Sequence, residues 1–149
     1  MVREISSILQ GNEPSIYLYG FSVLNDFRLG WRDIDILVLT YKHITEEQDK
    51  KLVGLRQAML KKEPGNLYYR SFEGAMLTLD AFLTGRADCV VYWGTGGEKM
   101  INHYVLDSFG MVELIESSVL LYGNDIRTQL KAPEFSELYA DVKYHIIKS

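Results

Sequence analysis

Asp33-Ile34-Asp35-Ile36-Leu37-Val38-Leu39-Thr40 is the stretch on which the fold turns. Past its first residues it is apolar and rich in β-branched side chains, the pattern of a strand covered on both faces. The polar start is the exception. Residues two apart on a strand point to the same side, with α-carbons roughly 6.5 Å apart, so Asp33 and Asp35 aim two carboxylates at one place. Like charges held this close call for a cation. Hard Mg²⁺ takes oxygen ligands, and one or two carboxylates plus substrate phosphates make its usual cage.

Working upstream, residues 2–9 read as a short helix ended by Gly11 and Pro14, and Ser15-Ile16-Tyr17-Leu18-Tyr19 as a strand stopped by Gly20. The turn Gly20-Phe21-Ser22 can bring backbone N–H groups and a hydroxyl towards a phosphate. Downstream, Thr45 is a good N-cap with Glu46 and Glu47 in the first turn, and Leu52, Leu55, Met59 and Leu60 line one side of an amphipathic helix that ends before Pro64-Gly65. Its lysines, Lys50, Lys51, Lys61 and Lys62, fall on the solvated side.

The remainder alternates in the same way. The expected elements are a strand over 67–72 entering Glu73-Gly74, a helical turn over 79–83 ended by Gly85, and a strand over 88–93 followed by the hairpin turn Gly94-Thr95-Gly96-Gly97. A helix follows over 108–117 with Phe109, Val112 and Ile115 inward, then a strand over 119–122 closed by Gly123-Asn124, and a helix over 136–147. Strands alternating with helices, with no repeat or linker, argue for a single α/β domain over 1–149.

Bulk properties narrow the function. A chain of 149 residues, 47% hydrophobic and 24% charged, is that of an ordinary folded domain. A net charge of −4 gives no overall positive field to gather nucleic acid or anionic lipid. The single cysteine, Cys89, has no partner for an intrachain disulfide, and no apolar run reaches the ~20 residues of a spanning helix. A cytoplasmic protein, with no membrane partner, is the expectation. His43, His103 and His145 lack zinc spacing, and no Gly-x-Ser-x-Gly elbow or Gly-x-x-x-x-Gly-Lys loop is present. Trp31 and Trp93 sit beside strands, where aromatics more often pack as core than stack on a base.

Tyr19-Gly20-Phe21-Ser22, ten residues, then Asp33-Ile34-Asp35-Ile36-Leu37-Val38 resembles the signature of the nucleotidyltransferase superfamily to which DNA polymerase β belongs. Tyr69-Arg70-Ser71-Phe72-Glu73-Gly74 and the segment from Ser117 to Ile126 resemble later motifs of the aminoglycoside adenylyltransferase group. The resemblance runs in order from about Ile16 to Asp141. It implies a small mixed sheet with helices packed mainly on one side and an acidic cluster at its edge. It further implies that Asp33, Asp35 and Glu73 are catalytic and hold Mg²⁺, with Asp88 as the alternative third acid, and that ATP and a small hydroxylated acceptor are the substrates.

Two positions depart from the pattern. Phe21 stands where relatives carry serine directly after the glycine, and Arg32 where they carry serine before the first aspartate. Ser22 can restore a hydroxyl by a shift of the turn, and Arg32 can offer a guanidinium to the triphosphate. If Phe21 obstructs the triphosphate instead, a weak or inactive enzyme results; the alternative function is a non-catalytic or antitoxin-like nucleotidyltransferase-fold module that acts on or binds a protein partner. The family's C-terminal helical domain is expected to be absent or truncated, and a homodimer is one way to complete the cleft.

Overall fold

The computed structural model describes residues 1–20, 34–66 and 68–148. The elements are α1 (Val2–Ile8), β1 (Pro14–Tyr19), β2 (Ile34–Thr40), α2 (Glu46–Lys62), α3 (Tyr68–Ser71), β3 (Phe72–Thr78), α4 (Leu79–Thr84), β4 (Val90–Gly94), β5 (Gly97–Ile101), α5 (Ser108–Ser117), β6 (Val119–Tyr122) and α6 (Phe135–Lys148), with a 3-10 turn at Arg127–Gln129. The strands form one sheet in the order β5-β4-β3-β2-β1-β6. Only β2 and β3 are parallel; the other pairs are antiparallel, so the sheet is mixed. A parallel pair needs a long crossover, and α2 supplies it.

Both faces of β2 are covered, as its apolar run requires. Ile36 and Val38 join Ile16, Met76, Val91 and Trp93 beneath α1 and α2, which contribute Ile5, Leu52, Leu55 and Met59. Leu37 and Leu39 join Tyr17, Tyr19, Ala75 and Leu77 on the other face, against Phe82 of α4 and Leu114 of α5. Each fully buried leucine contributes roughly 1.5–3 kcal/mol relative to exposure. The longest helix, α2, thus lies with α1 on one face, and the shorter α4 and α5 cover the other. Trp93 is core, its Nε1–H donating to the Leu52 carbonyl at 3.0 Å.

The start of α2 is fixed by a capping box: Gln48 N–H donates to Thr45 Oγ1 at 3.2 Å, and Thr45 N–H to Gln48 Oε1 at 2.9 Å. Gln48 also donates to the Ile8 carbonyl, so the same side chain joins α2 to the end of α1. Lys50 and Lys51 stay on the solvated side, paired four residues back with Glu46 and Glu47.

Two elements depart from expectation. The strand expected over 67–72 is instead the helical turn α3 followed by β3, which begins at Phe72. Gly, Ala, Met and Leu in β3 carry little strand preference, so its extended form comes from its place between β2 and β4. In α5 the buried residue is Leu114, with Met111 beside it, while Phe109 is exposed. Glu113 and Glu116 mark its exposed side, so the inward stripe runs through Met111 and Leu114 opposite them rather than through Phe109. No helix among the described residues is long and apolar enough to cross a membrane.

Candidate active site

Strand register brings the acidic residues together. Asp35 pairs across the antiparallel ladder with Tyr19, and across the parallel ladder with Glu73. Residues in register on neighbouring strands share a face at a strand spacing of roughly 4.8 Å. Tyr19, Asp35 and Glu73 therefore form a row on the face that carries Leu37, Ala75 and α5. Both carboxylates are half-buried. The row lies where β2 and β3 begin, which is also where β1 ends.

Two glycines fit the backbone around this row. Gly20 has φ +78°, and a Cβ there would stand 2.7 Å from Asp35 Oδ2. The chain thus leaves β1 with its backbone against the Asp35 carboxylate, an approach only glycine allows. Gly74, next to Glu73, has φ +147°, and a Cβ there would meet the Ile36 carbonyl oxygen at 1.8 Å. β3 therefore presses closely on β2 beside the two acids.

Glu73 is held from the hairpin side. Thr95 Oγ1 donates to Glu73 Oε1 at 2.5 Å, so the turn between β4 and β5 serves the site as well as reversing the chain. Buried Arg56 of α2 holds the backbone on both sides of this contact. Its Nη1 donates to the Phe72 carbonyl at 2.6 Å and its Nη2 to the Gly94 carbonyl at 2.8 Å, the residues just before Glu73 and Thr95. Its Nε donates to Glu98 Oε1 at 2.5 Å. Burial by itself pushes the Glu98 carboxyl up, but hydrogen bonds from Arg56 and Gln57 outweigh it and leave the group below the usual carboxylate value.

On the other side of Asp35, burial pushes the phenol of Tyr19 far up, helped by its hydrogen bond to Tyr104 and by the negative charge of Asp35. Burial also pushes Tyr104 up. Asp35 therefore has neutral phenols on one flank and Glu73 on the other. The carboxylate oxygens of the two acids are the donors a hard divalent ion takes. The contact of Gly20 with Asp35 keeps the space that a side chain would fill. Among the described residues, no set of three or more His, Cys, Asp or Glu side chains is placed to hold a metal ion.

Of the residues expected from sequence, Asp35 and Glu73 are together and Gly20 touches Asp35. Asp33, Phe21, Ser22, Arg32 and Trp31 lie outside the described residues. Asp88 is elsewhere: β4 runs antiparallel to β3 with Trp93 opposite Gly74 and Val91 opposite Met76, so Asp88 sits at the Thr78 end of β3. There it pairs with Arg86 at 3.4 Å. Arg56, Thr95 and Tyr104 were not anticipated. Arg56 had one signal, as the arginine among the apolar residues of α2, and nothing local marks the other two.

The likeness to a solved structure shows a nucleotidyltransferase-like fold. No protein-family model matches the sequence, and no curated protein matches it. Among solved structures, the chain is similar to the spectinomycin adenyltransferase AAD(9) from Enterococcus faecialis, whose crystal structure holds ATP and spectinomycin. The TM-score is 0.65 at 16% identity, and the match covers 99% of this chain and 65% of that one. At this identity the likeness is one of fold.

Proposed function

We propose that the protein is a nucleotidyltransferase that moves AMP from ATP to a hydroxyl of a small acceptor, with an aminoglycoside or spectinomycin-like compound as the candidate class. The observation that carries the reading is the register of Asp35 with Glu73 on parallel strands, beside a glycine turn whose backbone meets the Asp35 carboxylate. The fold of the ATP-bound and spectinomycin-bound neighbour supports it.

In this reading Asp33, Asp35 and Glu73 hold Mg²⁺, which when bound neutralises charge on the triphosphate. The turn Gly20-Phe21-Ser22 offers N–H groups and a hydroxyl to the phosphates, and Arg32 offers its guanidinium. Glu73, oriented by Thr95, takes the proton of the acceptor hydroxyl. The hydroxyl oxygen forms a bond to the α-phosphorus in line, the α–β bridging bond breaks, and pyrophosphate leaves. Positioning and charge neutralisation supply most of the rate, as in phosphoryl-type transfers generally.

The test is incubation with labelled ATP, Mg²⁺ and a panel of aminoglycosides with spectinomycin. Pyrophosphate release and a gain of one AMP in the mass of an acceptor are expected. No acceptor-dependent pyrophosphate across the panel would rule out this substrate class.

A further inference from the structure

The cavity at the Thr78 end of the sheet is separate from the row of Asp35 and Glu73. It has a volume of about 530 Å³, within the roughly 300–1,000 Å³ of small-molecule sites. It lies where the first turns of α2 meet the beginning of β4 and the end of β5, and Ile44, Val53, Cys89 and Met100 give it apolar walls. Asp49 of α2 also lines it, yet Asp49 is only 6% exposed. Its Oδ1 is shielded from solvent and has no hydrogen-bond partner among the described residues. A buried carboxylate oxygen without a donor is costly, and native folds seldom keep one without a role.

The surroundings specify the missing donor. Glu46 at the rim adds a second carboxylate, and Asp88, next to Cys89, adds a third close enough to raise Asp49 electrostatically. Against these stand His43 and the exposed Lys50, whose ammonium reaches out to Glu46 at 3.6 Å. An anion is repelled by this set. A bare metal ion is poorly served, because no group of three or more donor side chains is placed to hold one among the described residues. A single buried carboxylate among apolar walls suits a ligand with an apolar body and one N–H-rich cationic head.

We propose that this cavity binds a small primary amine with an apolar body, its ammonium donating to Asp49 while the body packs on Val53 and Met100. The site stands apart from the proposed transfer chemistry and does not depend on it.

Isothermal titration of the full chain with benzylamine, benzyl alcohol and benzoate tests this. Benzylamine is expected to bind with a Kd near or below ~1 mM. Benzyl alcohol should bind at least about tenfold more weakly, the usual effect of losing a charge-assisted hydrogen bond, and benzoate should not bind. Alkylating Cys89, the single cysteine, with N-ethylmaleimide should abolish benzylamine binding and so locate it. Asp49→Asn, nearly isosteric, should weaken benzylamine by about tenfold or more. Equal affinity for amine and alcohol, or binding that survives alkylation, overturns the proposal. The ligand comparison needs no variant, so it decides independently of Asp49→Asn.

Discussion

Replacing Arg56 by Met removes a guanidinium that holds three acceptors at once: Glu98 Oε1 at 2.5 Å, the Phe72 carbonyl at 2.6 Å and the Gly94 carbonyl at 2.8 Å. The pair is not a surface one, since the two side chains are 6% and 9% exposed. Glu98 would keep the side-chain amide of Gln57, at 3.1 and 3.4 Å. Breaking a buried ion pair by removing one partner typically costs about 3–5 kcal/mol, against 0–1 for an exposed pair. At about 2–4 °C per kcal/mol for a domain of this size, Tm should fall by about 6–20 °C.

The pH dependence should change too. Because the folded state holds Glu98 below its ordinary value, its contribution is complete above the usual carboxylate range and is lost as pH falls through the folded value. Arg56→Met should flatten that acidic limb. Urea melts of Arg56→Met, Glu98→Leu and the double variant give the coupling directly, and about 1.5 kcal/mol or more is expected. Arg56→Lys should not rescue, because an ammonium cannot span three separated acceptors. A cost below about 1 kcal/mol for Arg56→Met would refute the clamp.

Gly20→Ala should cost about 1–3 kcal/mol in a urea melt, since the backbone is left-handed there and the new methyl meets Asp35 Oδ2, and it should reduce nucleotide transfer more than stability alone explains. Burial, opposed by His43 and helped by Asp88 and Glu46, pushes the Asp49 carboxyl up to about 6. Between the unfolded value and about 6 the folded state binds the extra proton, so this group's contribution to stability rises as pH falls through that window. Asp49→Asn should therefore flatten the profile from about pH 4 to 6 and add roughly 1–3 kcal/mol at neutral pH, read from melts at a series of pH values. Tyr17 Oη accepts from Ile126 N–H at 2.7 Å and donates to Asp125 at 2.9 Å, fastening the segment after β6 to β1. Tyr17→Phe leaves that buried N–H without an acceptor and should cost about 1–3 kcal/mol in thermal melts.

Much of the fold was legible because it rests on local rules. The continuous apolar run of β2 demanded cover on both faces, and Thr45 announced the start of α2, though the reciprocal partner Gln48 is visible only as a side chain that also reaches α1. β3 begins several residues later than its sequence suggests because Gly74, Ala75, Met76 and Leu77 at its centre carry little strand preference, and its neighbours impose the extended form. The pairing of Asp35 with Glu73 is the clearest gain from structure. Period-2 geometry relates Asp33 to Asp35 within one strand, whereas the register of two parallel strands joined through α2 is a tertiary fact. Arg56 and Thr95 were hidden for the same reason, since their partners lie 16 to 42 residues away.

The central claim is that Asp35 and Glu73 form a cation-dependent nucleotide site. Calorimetric titration of ATP into the wild-type chain and Asp35→Asn, each with and without Mg²⁺, tests it most directly. The account predicts binding to wild type only when Mg²⁺ is present, and its loss in the variant with the melting transition retained. Equal binding without the metal, or binding that Asp35→Asn leaves unchanged, would contradict it.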